Sequence, residues 1–215
     1  TLDTAARYPL VLFLHGAGER GKDNQAQLKH VVRYFTRPFM QTNYPCLVLA
    51  PQVPEAAMWS HGEWNRDDDD LPEYHQLPGP SKHGRLVMEL LDALKDDLPI
   101  NNDRIYLVGL SMGGFGVYDL LSRYPSAFAA AVPICGGGDA TQAPKIAHIP
   151  IWVFHGEEDK VVPVGLSRSM VNALRLSRGR PIYTELPDVG HNAWDYAFTE
   201  DPFLYDWLFS QFRAD

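Results

Sequence analysis

A serine between two glycines is the first group in this chain that could carry out chemistry. Gly109-Leu110-Ser111-Met112-Gly113 has the spacing of a nucleophile elbow, in which a strand turns sharply into a helix and exposes the serine hydroxyl at its tip. Because so short a pattern also arises by chance, its context decides the interpretation. An apolar run, Arg104 to Val108, precedes it, and a helical pattern, Gly116 to Arg123, follows. We therefore predict that Ser111 is a nucleophile.

A serine hydroxyl needs a base to take its proton and a carboxylate to orient that base. His191 is the strongest base of the eight histidines, because it follows the last apolar run and Gly190 permits a tight loop before it. Glu157, Glu158 and Asp159 compete for the acid. Asp159 is favoured, since Gly156 turns the chain out of a predicted strand and apolar residues anchor the loop directly after Asp159.

Acyl transfer also needs donors for the developing oxyanion, commonly two backbone N–H groups. Met112, directly after the serine, supplies the first. Ala17, in the turn His15-Gly16-Ala17-Gly18, is predicted to supply the second. A phosphate-binding loop is the alternative interpretation of this turn, but no Gly-Lys-Ser/Thr follows it. Glu19 and Arg20 are expected to hold this loop in place.

These residues follow apolar runs that alternate with helical patterns, which predicts a doubly wound, mainly parallel sheet of about six strands. The predicted strands are Leu10 to Leu14, Leu47 to Ala50, Ile105 to Val108, Ala129 to Cys135, Ile151 to Phe154 and Ile182 to Leu186, the last an edge strand. The predicted helices are Gln25 to Met40, Arg85 to Leu98, Gly116 to Arg123, Gly165 to Arg175 and Pro202 to Phe212. In such sheets, ligands and catalytic groups collect at the carboxyl ends of the strands.

The stretch Pro51 to Lys82 has neither a strand nor a helix period, and we predict a long loop there. Met58, Trp59 and Trp64 are its main apolar side chains, and they could form an aromatic wall beside the site. Its acidic run, Asp67 to Asp70, is predicted to be solvated. A calcium site is the alternative, although no calcium-loop spacing surrounds it.

The bulk composition suits one α/β domain of 215 residues. A formal net charge of -8 argues against nucleic acid or an anionic membrane as a partner. No run approaches the eighteen or so apolar residues of a membrane span, and no signal peptide pattern begins the chain. Cys46 and Cys135 lie in separate apolar runs, so we expect two buried thiols rather than a disulfide.

Five segments together resemble bacterial esterases near the phospholipase/carboxylesterase and polyhydroxybutyrate-depolymerase-like groups of α/β-hydrolases. They are Leu-His-Gly-Ala-Gly-Glu-Arg-Gly, Gly-Leu-Ser-Met-Gly-Gly, Pro-Ile-Cys-Gly-Gly-Gly, Phe-His-Gly-x-x-Asp and Val-Gly-His-Asn-x-Trp. The order serine, acid, histidine along the chain is that of α/β-hydrolases. The resemblance runs from about Tyr8 to Gln211. It implies Ser111, Asp159 and His191 as the catalytic triad.

The resemblance carries further expectations. It implies Ala17 and Met112 as the oxyanion hole, and it places Trp59 and Trp194 near the substrate, with a packing role as the alternative for each. Related proteins often begin with two antiparallel strands, whereas only Thr1 to Arg7 precede the first predicted strand here. Since the chain also begins with Thr1 rather than Met, we expect a longer precursor. Similar proteins follow a secretion signal and sometimes an immunoglobulin-like domain, so a secreted or periplasmic enzyme with an N-terminal accessory domain is expected.

The leading hypothesis is a serine esterase that needs no metal or cofactor and hydrolyses small carboxylic esters through an acyl-enzyme. Short acyl chains are expected, with phenolic acyl groups such as ferulate as an extension. A peptidase of the prolyl-oligopeptidase kind is one alternative, although such enzymes usually add a propeller domain. A non-catalytic binding domain on a hydrolase scaffold is another, although such domains usually lose a member of the triad.

Overall fold

A six-stranded sheet forms the centre of the computed structural model, which describes residues 6–65 and 73–213. The sheet contains β1 (Tyr8–Leu14), β2 (Leu47–Leu49), β5 (Ile100–Leu110), β6 (Ala130–Ile134), β7 (Trp152–Gly156) and β8 (Ile182–Leu186). Their spatial order is β2-β1-β5-β6-β7-β8, and among the described residues every pairing in this sheet is parallel. The predicted fold class is confirmed, and β8 is an edge strand as predicted.

Both faces of the sheet are buried, which explains why its strands read as continuous apolar runs. In β5, Ile105 and Leu107 belong to the apolar core on one face, while Tyr106 and Val108 belong to the core on the other. Because the strands are parallel, the carboxyl ends of β1, β5, β7 and β8 lie at the same edge of the sheet. The predicted site residues follow these strand ends.

Helices cover the two faces in separate layers. One layer contains α3 (Lys82–Asp97), α4 (Met112–Arg123), α5 (Ala143–Ile146) and α6 (Val164–Leu176). The other contains α1 (Val32–Phe35), α2 (Pro38–Asn43), α7 (Ala193–Thr199) and α8 (Leu204–Ser210). None of the helices within the described ranges combines the length and apolar character needed to cross a bilayer.

The predicted helix from Gln25 to Met40 is wrong as a single element. The chain forms a 3₁₀ turn over Ala26–Leu28, then the short α1, and α2 begins only at Pro38. Arg37 is extended, with φ -66° and ψ 145°. A proline excludes its preceding residue from the helical region and donates no N–H, so the helical pattern is interrupted there.

The predicted loop from Pro51 to Lys82 contains two short strands that the sequence did not indicate. They are β3 (Gly62–Asn65) and β4 (Glu73–Gln76), which pair antiparallel. Each has only four residues, too few for a period to be recognised. The acidic run Asp67 to Asp70 lies outside the described residues. Of the helices, α5 and α7 were also not predicted, although α7 begins two residues after the predicted base.

Candidate active site

Ser111 lies at a strained turn between β5 and α4. Its φ of 55° and ψ of -119° are unusual for a residue with a side chain. A Cβ on Gly113 would lie 1.9 Å from the carbonyl oxygen of Leu14, and one on Gly109 would lie 2.3 Å from the carbonyl oxygen of Gly113. The two glycines therefore allow the close backbone approach that the turn requires, and the turn has the geometry of a nucleophile elbow.

The structure brings the predicted serine, histidine and aspartate into one hydrogen-bonded chain. His191 Nδ1 lies 2.6 Å from Asp159 Oδ2, and His191 Nε2 lies 2.8 Å from Ser111 Oγ. Because a carboxylate can only accept, Nδ1 must carry a hydrogen. In the neutral ring Nε2 is then bare and accepts the hydrogen of Ser111, which is the arrangement of a general base.

Asp159 is the acidic residue in this position because its neighbours point away. Its side chain is completely buried, whereas Glu157 and Glu158 are exposed. Asp159 Oδ1 accepts hydrogen bonds from the amides of Val161 at 2.8 Å and Val162 at 2.9 Å. Burial opposes ionisation, but hydrogen bonds from two histidines and these two amides outweigh it and hold the pKa of Asp159 well below its ordinary value.

Ala17 and Met112 occupy positions suited to an oxyanion hole. Ala17 begins the 3₁₀ turn Ala17–Glu19 after β1, and Met112 begins α4. The amide of a first helical residue has no partner within its helix, so both N–H groups remain available to a substrate oxygen. Both residues line the same pocket as Ser111.

The turn that carries Ala17 is supported from inside the protein. The fully buried His15 accepts a hydrogen bond at Nε2 from the amide of Val53, 3.1 Å away. Burial is the main reason that the pKa of His15 is lowered, which agrees with a neutral ring. Trp59 Nε1 donates to the carbonyl oxygen of His15 at 2.9 Å. Trp59 thus packs beneath the turn that carries Ala17.

The tryptophans do not all lie where the sequence reasoning placed them. Trp59 is 1% exposed and does not line the pocket. Its packing role, the alternative named above, fits this position. The ring of Trp194 lies 5.4 Å from that of His191 and perpendicular to it, so Trp194 supports the base. Trp64, five residues after Trp59, does line the pocket.

A pocket of about 330 Å³ opens beside Ser111. Its apolar wall comes from the segment that contains β3 and β4, from α4 and from the loop after β7. Besides Ser111, Ala17 and Met112, it is lined by Arg20, Met58, Gly62, Trp64, Tyr74, Phe115, Val161 and Val162. Tyr74, Phe115 and Val162 were not predicted to lie here, because only the tertiary fold joins these segments.

Glu19 and Arg20 hold the loop after β1, as expected. Glu19 lies 3.3 Å from His30 Nε2, and Arg20 Nε donates to the carbonyl oxygen of Ala57 at 2.7 Å. Arg20 Nη2 lies 3.0 Å from the sulfur of Met112. The loop is thereby held both to the segment that precedes β3 and to the start of α4.

One buried cluster, which includes Asp159, combines three side-chain types that can bind a metal ion. Ligand atoms of Cys135, His155 and Asp159, all buried, lie within 4.8 Å of one another. Both oxygens of Asp159 and both ring nitrogens of His155 already take part in hydrogen bonds within the protein. A metal here would have to replace that network. Cys135 and Cys46 are free thiols, as predicted, although Cys46 is only partly buried.

Comparisons with known proteins agree with this arrangement. The model of the phospholipase/carboxylesterase family matches residues 3–201. A solved structure of a thermostable esterase superposes with a TM-score of 0.86 and 40% identity, covering 99% of this chain and 57% of that one. A bifunctional acetylxylan esterase/xylanase of Neocallimastix patriciarum is 34% identical over 83 residues, which cover 38% of this chain and 12% of that protein.

A poly(3-hydroxyalkanoate) depolymerase C of Paucimonas lemoignei is 37% identical over 51 residues, which cover 24% of this chain. The match spans 12% of that protein too, so the chain corresponds to a small part of both curated relatives. The family match, in contrast, extends over nearly the whole chain. The chain has the elbow and the order serine, aspartate, histidine, and the family model matches residues 3–201. The chain therefore belongs to the phospholipase/carboxylesterase family.

Proposed function

We propose that this protein is a serine carboxylesterase that hydrolyses small carboxylic esters through an acyl-enzyme. The observation that carries the proposal is the hydrogen-bonded chain from Asp159 through His191 to Ser111, with Ser111 at the edge of an open pocket. Membership in the carboxylesterase family supports the same reaction class.

In this mechanism Ser111 Oγ attacks the ester carbonyl while His191 Nε2 takes its proton. Asp159 holds the ring in the required tautomer and stabilises the imidazolium. The same proton then passes to the departing alcohol, which leaves an acyl-serine. Water activated by His191 attacks that acyl group in turn, and the carboxylic acid is released. No step requires a metal or a cofactor.

The amides of Ala17 and Met112 stabilise the oxyanion of each tetrahedral intermediate. They belong to two different segments, β1–α1 and β5–α4, and they line the pocket together with Ser111. Because they are fixed by backbone rather than by flexible side chains, they need little reorganisation as charge develops.

The pocket supports small acyl groups as substrates. Its volume of about 330 Å³ is at the lower end of the range for ligand sites. The rings of Trp64 and Tyr74 lie 5.5 Å and 5.1 Å from that of Phe115, so one wall is an aromatic cluster. A flat phenolic acyl group such as ferulate can stack against this wall, while a long alkyl chain would extend past it into solvent.

The central experiment compares the wild type with Ser111→Ala on p-nitrophenyl acetate, with fluorophosphonate labelling in parallel. We expect the substitution to lower kcat by about 10⁶ and to abolish labelling, because the triad acts as a unit. A variant that keeps more than about a hundredth of the activity, or labelling of another serine, would contradict the role of Ser111.

A substrate panel separates the alternatives. We expect kcat/KM to be largest for p-nitrophenyl acetate or butyrate and smaller for octanoate and palmitate, with methyl ferulate hydrolysed. A maximum at octanoate or beyond would contradict the small-acyl assignment. Cleavage of an aminoacyl-proline anilide with no ester turnover would favour the peptidase, and binding without turnover would favour a non-catalytic domain.

Export and an N-terminal accessory domain remain part of the proposal. The chain spans 57% of the thermostable esterase chain that it resembles, which leaves room for further domains in related proteins. Fractionation of cells that express the full-length protein tests export, since an exported esterase is recovered outside the cytoplasm.

A further inference from the structure

A second histidine lies against the acid of the triad, at the same carboxylate oxygen that His191 contacts. His155, the second-to-last residue of β7, is completely buried. Its Nε2 lies 3.2 Å from Asp159 Oδ2, the same oxygen that contacts His191. This Nε2 also lies 2.9 Å from the carbonyl oxygen of Val162. One carboxylate oxygen therefore lies between two imidazoles.

The protonation of His155 follows from its neighbours. Both partners of Nε2, a carboxylate kept ionised and a backbone carbonyl, can only accept, so Nε2 must carry a hydrogen. On the other side, Nδ1 lies 2.7 Å from Ser167 Oγ, which also lies 3.1 Å from the carbonyl oxygen of Gly136. Ser167 fixes the ring plane whichever way its single hydrogen points. His155 thus faces Asp159 as a fixed donor.

We propose that His155 is a positioning residue for the triad: the hydrogen on its Nε2 is shared between the carbonyl oxygen of Val162 and Asp159 Oδ2, and the contact with Oδ2 helps to aim the carboxylate at His191. The inference rests on the proposed function. With His155 in place, four N–H groups contact Asp159, two amides at Oδ1 and the two imidazoles at Oδ2, of which the hydrogen of His155 is shared with the carbonyl oxygen of Val162. The carboxylate cannot rotate without losing several of them. Its second donor on Oδ2 also weakens its pull on the proton of His191.

This second effect gives the proposal a signature in the pH profile. Among the described residues, the titratable groups that face His155 and Asp159 are His191, Cys135 directly after β6 and Glu185 from β8. Burial raises the pKa of Cys135 to about 12, and the hydrogen bonds of Arg168 lower the pKa of Glu185. Neither changes charge near neutral pH, so neither accounts for a change on the acid side of the profile.

The test compares His155→Asn with His155→Gln. The glutamine amide can reach the position of Nε2 and donate to Asp159, whereas the shorter asparagine amide corresponds to Nδ1 and cannot. We expect His155→Asn to lower kcat by roughly 10-fold to 100-fold, the range that one lost hydrogen bond to a charged group represents. We also expect it to move the acid limb of kcat/KM to higher pH. His155→Gln should recover at least half of the loss, on a logarithmic scale, with KM unchanged in both.

Equal losses in the two variants, or an unchanged acid limb in His155→Asn, would overturn the proposal in favour of plain packing. Should neither variant fold, nuclear magnetic resonance of the wild type with isotope-labelled histidine decides. A hydrogen on Nε2 of His155 whose resonance shifts in Asp159→Asn is expected, and either a neutral ring with hydrogen only on Nδ1 or a resonance that Asp159→Asn leaves unchanged overturns the proposal. An inactive wild type or an active Ser111→Ala would instead refute the proposed function, and the resonance result would still stand.

Discussion

Replacing Asp159 with asparagine tests the triad most directly, because the change keeps the size of the side chain and alters one group. Oδ1 can still accept from the amides of Val161 and Val162, which fixes the orientation of the new side chain. Its NH₂ group then occupies the position of Oδ2. There it faces the hydrogen on His191 Nδ1, where 2.6 Å separated donor and acceptor in the wild type.

Two donors cannot share that contact, so His191 takes the other tautomer, with its hydrogen on Nε2. Nε2 lies 2.8 Å from Ser111 Oγ and can then no longer accept the serine proton. The same tautomer error has cost about 10⁴ in kcat in a serine protease. That factor corresponds to about 5.4 kcal/mol in activation free energy. We expect a loss of this size in Asp159→Asn.

The assay is turnover of p-nitrophenyl acetate, with thermal unfolding to confirm that each variant is folded. Glu157→Gln and Glu158→Gln are matched controls, since each makes the same chemical change on an exposed side chain of the same loop. Their kcat should stay within about threefold of the wild type, as surface substitutions usually do little. A folded Asp159→Asn variant with more than about a tenth of wild-type kcat would refute this reasoning.

Three further predictions concern the pocket, acid stability and the elbow. Trp64→Ala should open the pocket wall and raise the kcat/KM ratio of octanoate to butyrate esters by about fourfold for each CH₂ that gains contact; an unchanged ratio would place the acyl group elsewhere. Because the folded pKa of Asp159 lies below its ordinary value of 3.8, its contribution to stability is present above about pH 4 and is lost as the pH falls through the lowered value. The difference in unfolding free energy between wild type and Asp159→Asn should therefore shrink below pH 4 in denaturant titrations, and a difference that stays constant would speak against it. Gly113→Ala places a methyl group 1.9 Å from the carbonyl oxygen of Leu14 and should cost more than about 4 kcal/mol in thermal unfolding, whereas Gly18→Ala, with no atom within 4 Å, should unfold near the wild-type temperature; similar behaviour of the two would argue against the elbow geometry.

The sequence predicted the sheet and the three residues at its edge because both depend on local signals. Continuous apolar runs indicate buried parallel strands, and Ser111, Asp159 and His191 each follow such a run within a few residues. The two glycines of the elbow are also local, since they are required by backbone contacts that any such turn makes.

The parts that were not predicted depend on distant contacts. Trp59 and Trp64 lie in the same segment with similar surroundings in sequence, yet one packs under the turn that carries Ala17 and the other lines the pocket. No local pattern separates them, because the difference arises from the pairing of β3 with β4. His155 stood beside a predicted acid, but only the fold shows that its ring turns back to the carboxylate.

Because the hydrogen-bonded chain at the active site joins distant parts of the sequence, the recovery of catalytic activity measures cooperative folding. Ser111 and His191 are 80 residues apart in sequence, and Asp159 is 32 residues from His191. Their contact requires β5, β7 and β8 to be paired in the sheet at the same time, so a fragment that lacks any of these strands lacks the hydrogen-bonded chain. Regained activity during refolding therefore counts molecules in which the whole sheet has assembled, whereas helical signals also count partly ordered ones.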